Sequence, residues 1–127
     1  MEIAELATEQ YCYLTTTGRA SGEPREIEIW FSLVPNATRA TERATLYMIS
    51  GGGQRANWVK NLRKEPRCTV RIAGATFRGA GRVVAPGSQE DAVARKLLFE
   101  KYSPGYSGSL EAWARDGLPV AVDIELS

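Results

Sequence analysis

Arg19 and Arg25 flank a short stretch of small and turn-forming residues, GRASGEPR, set between two apolar, β-rich runs. Two guanidinium forks beside exposed backbone N–H groups suit a phosphate or a carboxylate. Between them, Ser21 adds a hydroxyl and Gly22 adds no bulk. The same residues equally describe a solvated hairpin loop that holds two arginines. Residue types alone leave both readings open.

A second stretch with chemical content is Ser50 to Arg63, SGGGQRANWVKNLR. It reads as a strand end, a glycine run and a helix. Three consecutive glycines permit positive φ and let a ligand approach the backbone. The helix that follows turns its free N–H groups back toward that loop. The stretch lacks the GxGxxG of a dinucleotide fold and the Lys-Ser/Thr of a Walker loop. On the helix, Trp58, Asn61 and Leu62 share a face. An asparagine there either bonds a ligand or ties down a neighbouring loop. Arg55, Lys60, Arg63, Lys64, Arg67 and Arg71 make the region locally basic. This is either a solvated helix face or a channel for an anionic tail.

Other chemistry is restricted by composition. There is no histidine, which removes the commonest general base, the usual triad and most zinc sites. Cys12 and Cys68 lie far apart inside predicted strands and read as small core residues of a reduced cytosolic protein, with no metal expected. Chemistry must come from tyrosine, serine, carboxylates, lysine or a cofactor. A net charge of +1 gives no general nucleic-acid-binding surface. No apolar run reaches membrane-spanning length, and Met1-Glu2 begins no signal peptide.

The elements that must position these residues follow from period and breakers. The 127 residues suit one domain, 1–127. Glu2 to Glu9 reads as a short amphipathic helix. Tyr11–Thr17 is strand one. Arg25–Leu33 is strand two, with Ile27, Ile29 and Phe31 facing one way and Glu26, Glu28 and Trp30 the other. Pro35–Arg43 is a long polar loop, Thr45–Ser50 strand three, and Asn57 caps a helix from Trp58 to about Lys64. Cys68–Ile72 and Ala75–Val84 are strands four and five, the last with Gly79 and Gly81 as a bulge or bend. Ser88 caps a helix to about Tyr102, a loop runs from Ser103 to Gly108, and a short helix covers Ser109–Arg115. Pro119–Leu126 is the last strand. Six short strands with peripheral helices predict a small, mainly β barrel with α additions.

Together, TTTGRASGEPR and the strand–glycine–NWVKNL–Pro run carry a resemblance. They resemble the deazaflavin-dependent nitroreductase family, the coenzyme F420-dependent oxidoreductases of actinobacteria. These are relatives of the pyridoxamine-phosphate-oxidase-like flavoproteins. The likeness extends from about Tyr11 to the last strand. It implies an FMN-binding split-barrel-like fold, here a six-stranded split β-barrel. It also implies roles. Arg19, Ser21, Gly22 and Arg25 match the turn that holds the phosphate and polyglutamate tail of F420, with Arg55 in the basic region beyond. Met48, Ile49, Ser50, Gly51 and Gly52 match the turn that lines the deazaflavin through backbone groups. Trp58 and Asn61 match the family's Trp and Asn on the next helix. Trp30 either flanks the cofactor or lies in a subunit contact. Tyr102 and Tyr106 match the tyrosines of the substrate pocket.

Departures matter too. Ala20 stands where a basic residue is common, a lysine usual soon after the serine is absent, and Leu110 replaces another tyrosine. The expected activity is hydride transfer from F420H2 to a small enone, quinone or nitro-aromatic acceptor. Solvent, Tyr106 or Ser50 would deliver the proton, or Tyr106 would serve as a pocket wall. The segment Tyr102–Trp113 is expected to select the substrate, with Tyr102–Gly108 as a mobile loop that closes over the acceptor. Two alternatives stand beside this: an FMN-dependent reductase or oxidase on the same barrel, and a non-catalytic F420 carrier. A cytoplasmic homodimer is the default.

Overall fold

The computed structural model describes residues 3–35 and 43–126. The predicted Pro35–Arg43 loop, and Glu2 of the first helix, fall largely or wholly outside the described residues. Among the described residues, seven strands form one antiparallel sheet in the order β2-β1-β5-β6-β7-β4-β3. They are β1 (Cys12–Thr17), β2 (Pro24–Ile29), β3 (Ser32–Pro35), β4 (Arg43–Ser50), β5 (Arg67–Ile72), β6 (Ala75–Val83) and β7 (Leu118–Glu125). The helices are α1 (Ile3–Ala7), α2 (Asn57–Lys64), α3 (Gln89–Tyr102) and α4 (Glu111–Asp116).

Six strands become seven because the predicted Arg25–Leu33 strand breaks at Trp30-Phe31. β2 pairs with β1 at one end of the sheet, and β3 pairs with β4 at the other. Among the described residues no ladder closes the sheet. Yet its two outermost strands are consecutive in the chain, separated only by Trp30 and Phe31. Three Cα steps span at most about 11 Å, so the sheet curls until its ends nearly meet. The alternation survives the break: Phe31 is wholly buried, Ile27 and Ile29 pack beside it, and Trp30 turns to the other side.

Inside the curl, Leu14, Phe31, Leu46, Met48, Val70, Ile72, Val122 and Ile124 form the main core, closed by Leu6 of α1 and Val59 and Leu62 of α2. Gly79 and Gly81 make no bulge, since β6 keeps continuous register with β5 and β7. Their role is close approach. A Cβ on Gly81 would stand 2.8 Å from Leu62, and one on Gly79 would stand 2.9 Å from the Asp123 carbonyl.

A second core joins α3 and α4 to the outer face of β4 and β7 through Tyr47, Ile49, Ala121, Leu98 and Leu110. α3 starts as expected: the Ser88 hydroxyl accepts from the Asp91 N–H at 3.1 Å, and Glu90 and Asp91 occupy its first turn. Arg82 bridges Glu90 and Asp123, at 2.6 and 2.9 Å, and so fastens that turn to the sheet. No described helix is long and apolar enough to cross a membrane.

At the far end of α3, Lys101 donates to the Phe31 carbonyl at 2.7 Å, with its ammonium over the Phe31 ring. Burial pulls its pKa down to about 8. The unfolded chain would hold that proton up to about pH 10.4, so this group's contribution to stability grows as pH rises through the window above 8. Denaturant titrations at pH 7.5 and 9.5 should therefore show wild type gaining on Lys101→Met at the higher pH. A difference that is flat or shrinks would rule this out.

Candidate functional site

The GRASGEPR turn is a closed structure. The Gly18 N–H donates to the Glu23 carbonyl and the Gly22 N–H to the Gly18 carbonyl, each at 2.8 Å. Gly22 has φ +75°, which only glycine adopts without strain. Ser21 Oγ accepts from the Glu23 N–H at 3.1 Å and from Arg25 at 3.3 Å. Most of the turn's N–H groups are thus spent inside the protein rather than offered to a ligand. The turn's contribution to recognition falls to its side chains.

The two arginines divide. Arg19 lies against α2: its guanidinium donates to Asn61 Oδ1 at 3.0 Å and to Asn57 Oδ1 at 3.2 Å. Its backbone N–H also reaches Asn61 Oδ1, at 3.1 Å, and Lys64 donates to its carbonyl at 2.7 Å. Arg25 is less committed. Its side chain is 56% exposed, with Glu23 at 3.8 Å as its ion-pair partner. Exposed pairs of this length contribute little and yield to a better anion.

Asn61, 4% exposed, completes the brace by donating to Thr16 Oγ1 at 3.2 Å. These bonds tie down the loop. Asn57 is not the helix cap: Ala56 occupies that position without a side-chain bond, and Asn57 receives Arg19 instead. Thr16 is missed in the sequence, while Asn57 and Lys64 read there as a helix cap and as part of a basic face rather than as braces of the turn. Thr16 stands in a run of three threonines, so its burial carries no distinct signal in the sequence. Arg19, Ser21, Arg25, Ile27, Asn57, Trp58 and Asn61 line a cleft of about 350 Å³ between the turn and α2.

The glycine run stands at the end of β4. Ser50 is buried and its hydroxyl donates to the Gly53 carbonyl at 3.0 Å, across the turn. Met48 is wholly buried in the main core, and Ile49 belongs to the second. Gly51 is exposed, with open space where a Cβ would point. A Cβ on Gly52 would meet Ala56 at 3.6 Å instead. Arg55 is exposed at the end of the 3-10 turn Gly53–Arg55.

At the other end of β2, four aromatic rings converge. Trp30 stacks on Tyr102 at 4.3 Å and 5°, and meets Trp113 and Tyr106 edge-on at 5.6 and 6.0 Å. Tyr102 does not belong to a mobile loop. It ends α3, is 3% exposed, and burial raises its pKa to about 12. Its hydroxyl accepts from the Phe31 N–H at 2.8 Å, with the Gln10 and Phe31 carbonyls each at 2.9 Å to take its proton. The helix predicted over Ser109–Arg115 forms as α4, and a 3-10 turn at Ser103–Gly105 falls within the predicted loop. Leu110 is buried in the second core. Tyr106, by contrast, is 46% exposed. Trp30, Ile29, Glu28, Tyr11, Ile49 and Trp113 line a notch of about 230 Å³. A larger hollow of about 750 Å³, over the ends of β1, β5, β6 and β7, adjoins the cleft at Thr16 and also takes in Gly22.

The family model for F420H(2)-dependent quinone reductases matches residues 2–125. No curated protein matches the sequence. Among solved structures, an F420-H2-dependent reductase, FDR-A, aligns at TM-score 0.63 and 20% identity over 91% of this chain and 94% of that one. A Bacteroides thetaiotaomicron protein named for 5-nitroimidazole antibiotic resistance aligns at 0.66 and 14%, over 96% and 77%. A heme-binding protein from Mycobacterium smegmatis aligns at 0.64 and 16%, over 96% of this chain and 50% of its own. At such identities the structures establish the fold, and one fold serves several ligands.

Proposed function

Because this chain belongs to the F420H(2)-dependent quinone reductase family, an oxidoreductase family that uses coenzyme F420, we propose that it passes hydride from reduced F420 to a small planar acceptor of quinone type. The observation that carries this reading is the strip along β2. Arg25 and Ile27 line the cleft at one end; Glu28, Ile29 and Trp30 line the aromatic notch at the other. Five residues of strand span roughly 16 Å. That length suits a tricyclic ring joined to a phosphate through a five-carbon chain.

The residues present fit the coenzyme. F420 is anionic at its phosphate and glutamyl tail, and the cleft offers the exposed Arg25 guanidinium above an apolar floor of Ile27 and Trp58. Arg55 extends the positive surface beyond the glycine turn. When bound, reduced F420 supplies the hydride. The chain's work is orientation and water exclusion. Arg19, Asn57 and Asn61 brace the turn that carries Arg25. The exposed backbone at Gly51 admits a flat ring. Trp30, clamped by Tyr102, presents an apolar wall to the acceptor. Ser50 is turned toward Gly53, so Tyr106 is the better placed hydroxyl for a proton at the acceptor oxygen, beside solvent.

The ring of Tyr106 carries most of its value in this reading. Tyr106→Phe should keep most activity, whereas Tyr106→Ala should raise KM roughly 3- to 10-fold, as expected for one lost aromatic contact. A 100-fold fall in kcat for the Phe variant would instead make the hydroxyl a general acid. The function itself is tested by titrating the purified protein with F420 and with FMN, following tryptophan fluorescence. Saturable quenching by F420 supports the proposal. A yellow FMN complex, with no response to F420, would replace it with a flavin enzyme.

A further inference from the structure

A short helix holds one wall of the aromatic notch, and a single arginine holds that helix. α4 is six residues long; its N-cap, Leu110, makes no side-chain bond, and Ser109 Oγ accepts from the Glu111 N–H at 3.3 Å. A helix so short is not stable alone, so its place is set by what grips it. Arg95 of α3 donates from Nη1 to the carbonyls of Ala114 and Arg115, at 2.9 and 2.7 Å. These are carbonyls of the last turn, where a cation is favoured. The same guanidinium donates from Nε to Asp91 at 2.6 Å, one turn earlier on α3. Asp91 is 8% exposed, so the fork is aimed from a buried anchor. Beyond α4 the chain is pinned again: Gly117 packs where a Cβ would overlap Ile49, beside Ser50. Trp113, the residue before Ala114, is thereby fixed edge-on to Trp30 at 5.6 Å.

We infer that Arg95, held by Asp91, is a positioning residue that sets the width of the acceptor notch through α4 and Trp113. This rests on the functional reading above. It goes further in naming a residue that touches neither the coenzyme cleft nor the aromatic cluster. The planar fork matters because one nitrogen serves two carbonyls while another serves the carboxylate. Lysine can replace only part of that set.

The test compares Arg95→Met, Arg95→Lys and wild type in near-UV circular dichroism, tryptophan quenching by acrylamide, F420 titration and steady-state kinetics with a planar quinone. The Met variant should alter the tryptophan dichroism and raise KM about 10-fold, in line with the cost of a small misplacement. Its kcat should stay within about twofold, and its F420 affinity should not change. The Lys variant should recover part of the KM. Val70→Ala, a core change away from the notch, serves as a stability control and should leave KM unmoved. Unchanged tryptophan spectra in the Met variant would overturn the inference even if F420 proved not to be the coenzyme. So would a KM that rises equally in the Val70 control.

Discussion

Arg25→Ala should weaken F420 binding roughly 10- to 150-fold, or about 1.5–3 kcal/mol, the range for a hydrogen bond to a charged group. The size follows from how little Arg25 does for the protein itself. Its side chain is mostly exposed, its ion pair to Glu23 is 3.8 Å long, and its contact to Ser21 is 3.3 Å. Removing it should cost little stability and much affinity. Wild-type affinity should also fall as salt rises, because the pair is open to solvent. Arg19→Ala should behave in the opposite way. Its guanidinium is bound to Asn57 and Asn61, so its loss should loosen the turn and lower Tm more than it lowers affinity. Calorimetric titration of both variants reads this directly. An Arg25→Ala protein with wild-type affinity would remove the turn from the coenzyme site.

Tyr102→Phe should destabilise the protein by about 1–3 kcal/mol, the cost of leaving a buried donor without a partner. One oxygen deletes the acceptor for the Phe31 N–H and a donor near the Gln10 and Phe31 carbonyls. That hydroxyl sits where the chain passes from β2 to β3, so it holds the junction between the two ends of the sheet. The ring remains to stack on Trp30, and a protein of this size should lose several degrees of Tm while still binding F420. An unchanged Tm would show that Phe31 finds another acceptor and that the junction is held otherwise.

Much of this arrangement was legible from residue pattern. Alternation in β1, the Ser88 cap, the glycine turn after Ser50 and the closely spaced arginines of the hairpin all stand where period and breakers put them. The break at Trp30-Phe31 was not. Ile27, Ile29 and Phe31 keep a two-residue period across it, and period does not report which neighbour a strand pairs with. Asn57 looked like a cap because capping chemistry is local, whereas its partner Arg19 lies 38 residues away. Tyr102 looked like a loop residue because Gly, Ser and Pro follow it. Its three backbone partners come from the first quarter of the chain. The Asp91–Arg95 spacing of four is a local signal for their ion pair, but nothing local reports the grip of Arg95 on α4, since what it holds there is carbonyl oxygen that every residue possesses.

The most direct test of the central claim is anaerobic single-turnover oxidation of F420H2 by a soluble quinone such as menadione, followed by F420 absorbance, with wild type and Arg25→Ala side by side. The account predicts enzyme-dependent, saturable oxidation by wild type, strongly reduced in the variant at limiting F420H2 and partly recovered at high F420H2. Tight binding of F420H2 with no oxidation in the presence of quinone, enone or nitro-aromatic acceptors would contradict it, and would make the protein a carrier rather than a reductase.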